Sequence, residues 1–222
     1  MAKNVAIVLD RSQLSERELA DELRRRADNE VVQLVQSDGQ PLLQGLAAGL
    51  SAEITIDVEG AVGSFLFLLG TNAQVEVKGN VGNGCAHSMH SGRVVVRGNA
   101  GHDAGAFAVG GFLAILGQAG DRCGHGLAGG DVLVRSKVGR QAGYGMSGGV
   151  LVLGNGAGEE LGYGMSGGVI YVRGEVKSTA ATIRPTRMKD SDSMRLSLLL
   201  VRAGIKTSGA EFKAYRARAV AS

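Results

Sequence analysis

The sequence contains no tryptophan, four tyrosines and five phenylalanines, and it has only two cysteines and two prolines. So few rings argue against a globular core built on large aromatic side chains. The scarcity of cysteine excludes a disulfide-rich secreted scaffold. No apolar run approaches the roughly 18 residues of a membrane span, and the opening MAKNVAIVLDRS lacks the apolar stretch of a secretory signal. We therefore expect a cytoplasmic protein that binds no membrane.

Glycine is abundant instead, and it is periodic. The 36 glycines lack the three-residue period of collagen, but between residues 63 and 174 they recur every 19 residues in three columns. The first column includes Gly82, Gly101, Gly120, Gly139 and Gly158, the second Gly124, Gly143 and Gly162, and the third Gly130, Gly149 and Gly168. A short apolar segment rich in Val, Ile and Leu follows each glycine of the third column. One strand per repeat is therefore predicted.

The length of the repeat selects the fold. Nineteen residues are too few for a βαβ unit of roughly 30 residues or a propeller blade of roughly 40–45. The pattern predicts a mainly β protein, a right-handed parallel β-helix of about seven coils with strands about 4.8 Å apart. The glycine columns should be turns at which positive φ or close backbone approach excludes a Cβ atom. We expect Gly145→Val to destabilise the fold through strain and clash.

Residues 1–50 fall outside the repeat and predict a small α/β cap on the open end of the β-helix. The predicted order is a strand over Val5–Leu9, a helix to Ala27, a strand over Val31–Val35 and a turn at Asp38–Gly39. Ser15 and Glu18 have the spacing of a capping box at the start of the helix. The β-helix itself should occupy residues 51–178.

Residues 179–222 predict a helical, basic C-terminal tail. After a break at Arg184-Pro185, a helix should run from Asp190 to Ala203 and end at Gly204 as its C-cap. Met194, Leu198, Leu199 and Val201 should lie on or near one face of it. From Arg184 to Arg218 there are nine Lys or Arg against three Asp or Glu, and few aromatics are interleaved. This composition favours docking to an acidic protein over nucleic-acid binding.

Three further features bear on function. Cys85 and Cys123 are two coils apart, about 9.6 Å, which exceeds the roughly 7 Å limit for a disulfide and predicts two free thiols. His87, Ala106, His125, Tyr144 and Tyr163 form one column. The two histidines lie too far apart to share a metal ion, so the column is either a stacked structural ridge or a partner contact. Ser64–Leu69 either plugs the end of the core or belongs to a partner-binding patch.

The sequence shows no catalytic, cofactor-binding or metal-binding residue that can be named. It has no clustered CxxC and no P-loop, and Met1-Ala2-Lys3 lacks the N-terminal cysteine of a class II glutamine amidotransferase. The segment Gly124–Gly129 fits GxGxxG. However, the motif recurs in register and precedes a strand, whereas a dinucleotide loop follows one and opens a helix. We interpret these segments as corners of the β-helix.

The repeated Gly-Tyr-Gly-Met-Ser-Gly-Gly at Gly143–Gly149 and Gly162–Gly168 resembles the motif of the GXGXG β-helix family. That family includes the C-terminal domain of the large glutamate synthase subunit and the C subunit of formylmethanofuran dehydrogenase. The resemblance covers residues 54–178. The α/β cap, and a basic tail after Gly174–Ser178, favour a free-standing subunit similar to that of the N-methylglutamate synthase complex.

This resemblance implies a non-catalytic scaffold subunit that bridges a glutamine amidotransferase subunit and an FMN-dependent synthase subunit. FMN and an iron–sulfur cluster would be bound by the synthase partner, and none by this chain. Two alternatives remain open. One is the C subunit of a formylmethanofuran dehydrogenase or formyltransferase/hydrolase complex, and the other is a β-helix enzyme that acts alone.

Overall fold

The computed structural model describes residues 6–35, 42–206 and 209–218. Within these ranges the chain forms one 11-stranded sheet and two α-helices, with short 3-10 turns at Arg11–Gln13 and Gly209–Glu211. The helices are α1 (Glu16–Arg24) and α2 (Asp190–Arg202). The strands are β1 (Ile7–Asp10), β2 (Val31–Val35), β3 (Thr55–Val58), β4 (Gln74–Val77), β5 (Arg93–Val96), β6 (Phe112–Ile115), β7 (Asp131–Val134), β8 (Val150–Leu153), β9 (Val169–Val172), β10 (Ile183–Thr186) and β11 (Lys213–Ala217).

The 19-residue repeat forms a parallel β-solenoid. Strands β3 to β9 start 19 residues apart and pair in parallel, so that equivalent residues such as Val75, Val94 and Leu113 are direct neighbours. The predicted parallel β-helix is thus confirmed. The sequence predicted about seven coils. The seven strands β3 to β9 enclose about six turns of the solenoid.

Columns of aliphatic side chains fill the solenoid. Val94, Leu113, Val132, Leu151 and Ile170 point inward and are all buried. Burying one such side chain contributes about 1.5–3 kcal/mol relative to its exposure. Because every coil contacts the next, this interior is continuous from β2 to β9 and needs few large rings.

The N-terminal segment continues the sheet. Strand β1 pairs in parallel with β2, and β2 pairs in parallel with β3. The predicted capping box is confirmed, since Ser15 Oγ accepts from the Glu18 N–H and the Glu18 carboxylate accepts from the Ser15 N–H. Helix α1 ends at Arg24 rather than Ala27 and buries Leu19 and Leu23 in the core. The predicted turn at Asp38–Gly39 lies outside the described residues.

The C-terminal segment also joins the sheet. Strand β11 pairs antiparallel with both β9 and β10. The predicted break at Arg184-Pro185 is wrong, because β10 runs through both residues as the last strand of the sheet, where a proline removes no ladder hydrogen bond. Helix α2 has Ala203 as its C-cap, followed by Gly204 with φ +71°.

Helix α2 covers the outer surface of the later coils. Leu196, Leu199 and Leu200 are buried against outward-facing side chains of the strands, including Phe112 and Tyr171. Of the four apolar residues predicted to lie on or near one face, only Leu199 packs onto the sheet. The other three are exposed, namely Met194, Leu198 and Val201.

Candidate functional site: a ladder of aromatic rings

The turns of the solenoid place side chains in register on its surface. The predicted turn glycines fall into two classes. The second and third columns have positive φ, with values of 68–71° for Gly124, Gly143 and Gly162 and 69–78° for Gly130, Gly149 and Gly168. The first column does not, but a Cβ there would lie 2.6–2.9 Å from backbone atoms of the previous coil; this holds for Gly82, Gly101, Gly120, Gly139 and Gly158. Both classes exclude a side chain and keep neighbouring turns close together.

Six rings form one continuous row along these turns, which we call the ring ladder. Successive ring centroids are 6.5, 5.4, 4.5, 4.9 and 5.4 Å apart, within the usual range of aromatic contacts. The last pair is stacked with an interplanar angle of 4°. In chain order the ladder consists of Phe65, His87, Phe107, His125, Tyr144 and Tyr163.

The sequence predicted four of these rings and missed Phe65 and Phe107. Phe107 comes from the column next to that of the histidines, whose own member Ala106 is buried, and Phe65 comes from a column three residues earlier in the repeat. The two phenylalanine rings lie over Gly84 and Gly126, where a Cβ atom would come within 2.7 and 2.6 Å of them. The sequence did contain a signal for these two rings. Each phenylalanine is followed 19 residues later by a glycine, which leaves room on the next coil for the phenylalanine ring.

Much of the ladder is open to solvent. Phe65, Phe107 and Tyr163 are 46%, 46% and 48% exposed, and Leu69 and Val109 are exposed beside the same turns. The segment Ser64–Leu69 is divided between the core and the surface. Leu66 and Phe67 are buried in the core, whereas Phe65 and Leu69 face outward.

Charged groups flank the middle of the ladder. Arg122 donates to both oxygens of Asp103 at 2.8 and 2.6 Å, and His125 Nδ1 lies 3.6 Å from the same carboxylate. Hydrogen bonding from Arg122, supported by His125, outweighs burial and lowers the pKa of Asp103. Partial burial lowers the pKa of His87 below 6.5, despite the attraction of Asp103. His87 is therefore mainly neutral at pH 7.

Among the described residues, the polar groups beside the ladder do not line up as a nucleophile, a histidine and a carboxylate. Ser88 Oγ lies 2.9 Å from His87 Nδ1, but no carboxylate in the described part of the chain pairs with His87 to orient it as a base. Across residues 6–35, 42–206 and 209–218, no three His, Cys, Asp or Glu side chains are grouped to hold a metal ion. What the arrangement does provide is a long aromatic contact surface.

The two thiols lie inside the solenoid. Cys85 and Cys123 are both free, as predicted, and both are buried. Burial raises the pKa of each thiol to about 12, so neither is a thiolate at neutral pH. They act as small apolar core residues.

Comparisons with known proteins assign no family. No protein-family model matches the chain, and a search of curated proteins returned no relative. Neither helix among the described residues has the length and apolar character to cross a bilayer. The ring ladder and the repeated glycine motif are therefore the features on which a functional proposal rests.

Proposed function

We propose that this chain is a non-catalytic scaffold subunit of a glutamate-synthase-like complex of the N-methylglutamate synthase type. It bridges a glutamine amidotransferase subunit and an FMN- and iron–sulfur-containing synthase subunit in the cytoplasm, and the ring ladder contacts one of them. The two Gly-Tyr-Gly-Met-Ser-Gly-Gly repeats, which resemble the GXGXG motif, support the family, and the α/β cap and the basic tail after Gly174–Ser178 support this choice of complex within it. The cofactors and the reaction belong to the partners.

Phe107, with its exposed ring, is the residue that carries a contact role. Its φ is +54°, in the left-handed region that bulky side chains rarely adopt, and the next three coils have Gly126, Gly145 and Gly164 at this position. Holding a non-glycine residue there costs about 1–2 kcal/mol. The strained residue nevertheless presents a ring that is 46% exposed. Leu69 and Ser88, at this position in the two preceding coils, have similar φ values of 56° and 54°, so the conformation belongs to the turn and the exposed aromatic ring is what points to binding.

The shape of the solenoid supports the same role. Each turn adds one strand spacing of about 4.8 Å, so the ladder reaches across several coils and offers an extended surface. Aromatic rings are enriched at protein interfaces because one side chain combines a large apolar area with few rotatable bonds. A partner that covers the ladder would bury Phe65, Phe107 and Tyr163 together.

Affinity capture of the tagged full-length chain from its own cells tests this proposal. The expected product contains a flavoprotein with FMN and iron–sulfur absorbance and an amidotransferase that begins with cysteine. Glutamine-dependent activity should appear in the complex and be absent from the purified chain.

Two results would contradict the proposal. Capture of a metal-dependent hydrolase without a flavoprotein would favour the formylmethanofuran dehydrogenase type of complex. Turnover of a substrate by the purified chain, at a rate unaffected by added partners, would show that it acts alone.

A further inference from the structure

Helix α2 carries a second apolar stripe on the side that does not pack onto the sheet. Met194, Leu198 and Val201 are 69%, 66% and 75% exposed. Their spacing of four and then three residues places them on one face of the helix. This is the pattern with which one helix contacts another helix.

The stripe leads directly into a basic cleft. Val201 lines this cleft of about 620 Å³, which lies between the end of α2 and the outer surface of the strands. The charged residues that line it, among those described, are Arg93, Arg97, Arg135, Arg202, Lys206 and Glu76. Five cations thus face one carboxylate.

The positive charge of the cleft is only partly balanced. Glu76 accepts from Arg97 at 2.8 Å, and Arg93 donates to the Arg202 carbonyl at the end of α2. Neither Arg135 nor Lys206 pairs with a carboxylate in the part of the chain that the structure describes. A cleft that concentrates one sign of charge attracts ligands of the opposite sign.

The flanks of the stripe argue against a second copy of this chain as its occupant. Arg195 and Arg202 are seven residues apart and lie on the same side of the stripe, reaching Asp131 and the Phe112 ring on the sheet. In a symmetric antiparallel pair of α2 helices centred on the stripe, Arg195 of each helix would face Arg202 of the other. Like charges so placed destabilise the pairing.

We propose that this stripe and the adjoining cleft, together the α2 surface, bind an acidic amphipathic helix of a partner subunit. Apolar residues of that helix would cover Met194, Leu198 and Val201, and its carboxylates would pair with Arg135 and Lys206. This inference rests on the proposed scaffold function and specifies a second contact, separate from the ring ladder, with its chemistry.

The test is a titration with the purified full-length chain, in which fluorescence anisotropy measures the binding of a labelled synthetic peptide. The peptide is helical and has leucines on one face and glutamates beside them. The same peptide with lysine in place of glutamate is the comparison. We expect the acidic peptide to bind at least about tenfold more tightly, and added salt to weaken it. Leu198→Ser and a combined Arg135→Ala, Lys206→Ala variant should each lose about tenfold in affinity.

Val8→Ser is the matched control, because Val8 is 60% exposed and lies on β1 rather than α2. It should bind the peptide like the unmodified chain. Equal affinity for both peptides, no binding of either, or a chain dimer that Leu198→Ser dissociates would each overturn the inference. Capture of the flavoprotein despite failed peptide binding would reject only the α2 surface, whereas peptide binding without the enzyme partners would reject the proposed complex.

Discussion

Gly145 and Gly148 lie three residues apart in one coil, but a methyl group would meet different surroundings at each. Gly145 has φ +61° and open space around the Cβ position, so the clash expected there from the sequence is absent and only strain remains. At Gly148 a Cβ would lie 2.1 Å from the Ala128 carbonyl oxygen of the previous coil.

We predict that Gly145→Ala costs about 1–2 kcal/mol of unfolding free energy through its left-handed backbone alone. Gly148→Ala should cost more than about 3 kcal/mol, because a backbone carbonyl must move and the hydrogen bonds between coils move with it. Chemical denaturation of both variants measures the difference. Equal losses would mean that the two glycines do not have these distinct roles.

The buried thiols give a second residue-scale prediction. Cys85 and Cys123 should resist a thiol reagent in the native protein and both react once it is denatured, without prior reduction. Native burial and a pKa of about 12 slow the reaction. Rapid native labelling, or fewer than two thiols after denaturation, would contradict the register of the coils.

Helix α2 is fixed at its N-terminal end by a buried carboxylate. Asp192 is 6% exposed, accepts from the Tyr171 hydroxyl at 2.7 Å and from Arg216 at 2.5 Å, and also accepts from the Lys189 N–H. Burial favours the protonated acid, but these hydrogen bonds outweigh it, and the pKa of Asp192 lies below 3.8. The pairing links α2 to strands β9 and β11.

We predict that Asp192→Asn costs about 3 kcal/mol at pH 7, because Arg216 loses its buried partner. A lowered carboxyl pKa stabilises the fold above the ordinary value of 3.8, and this contribution is lost as the pH falls through the folded value. The difference in unfolding free energy between the two proteins should therefore be constant above about pH 5 and shrink below about pH 4. A difference independent of pH would exclude this ion pair as its cause.

The position of α2 shows what the sequence could not determine at the scale of an element. The bounds of the helix were predicted to within one residue, since it ends at Arg202 rather than Ala203. The buried face was not, because α2 is apolar on two sides and periodicity cannot tell which side meets the sheet. The strands, rather than the helix, indicated that something covers the outside of the sheet. Strands β6, β8 and β9 are apolar at every position, which is typical of strands that are covered on both faces.

The solenoid as a whole could be predicted because a repeat of 19 residues specifies both strand spacing and register. The ring ladder was predicted only in part. His87, His125, Tyr144 and Tyr163 share a column, but Phe107 enters the row from the next column and Phe65 from a column three residues earlier in the repeat. Their placement depends on left-handed φ values of 62° and 54°, which the sequence does not reveal for phenylalanine.

The measurement that tests the account most directly is affinity capture of the partner subunits by the Phe107→Gly variant. The equivalent positions in the next three coils are glycine, so this change removes a ring of the ladder and relieves strain. Its unfolding free energy should stay within about 1 kcal/mol of the unmodified chain.

We predict that Phe107→Gly lowers partner capture at least about tenfold. Leu42→Ser, which alters an apolar residue of similar exposure outside the ladder, should capture partners normally. Full capture by a stably folded Phe107→Gly chain would contradict the account.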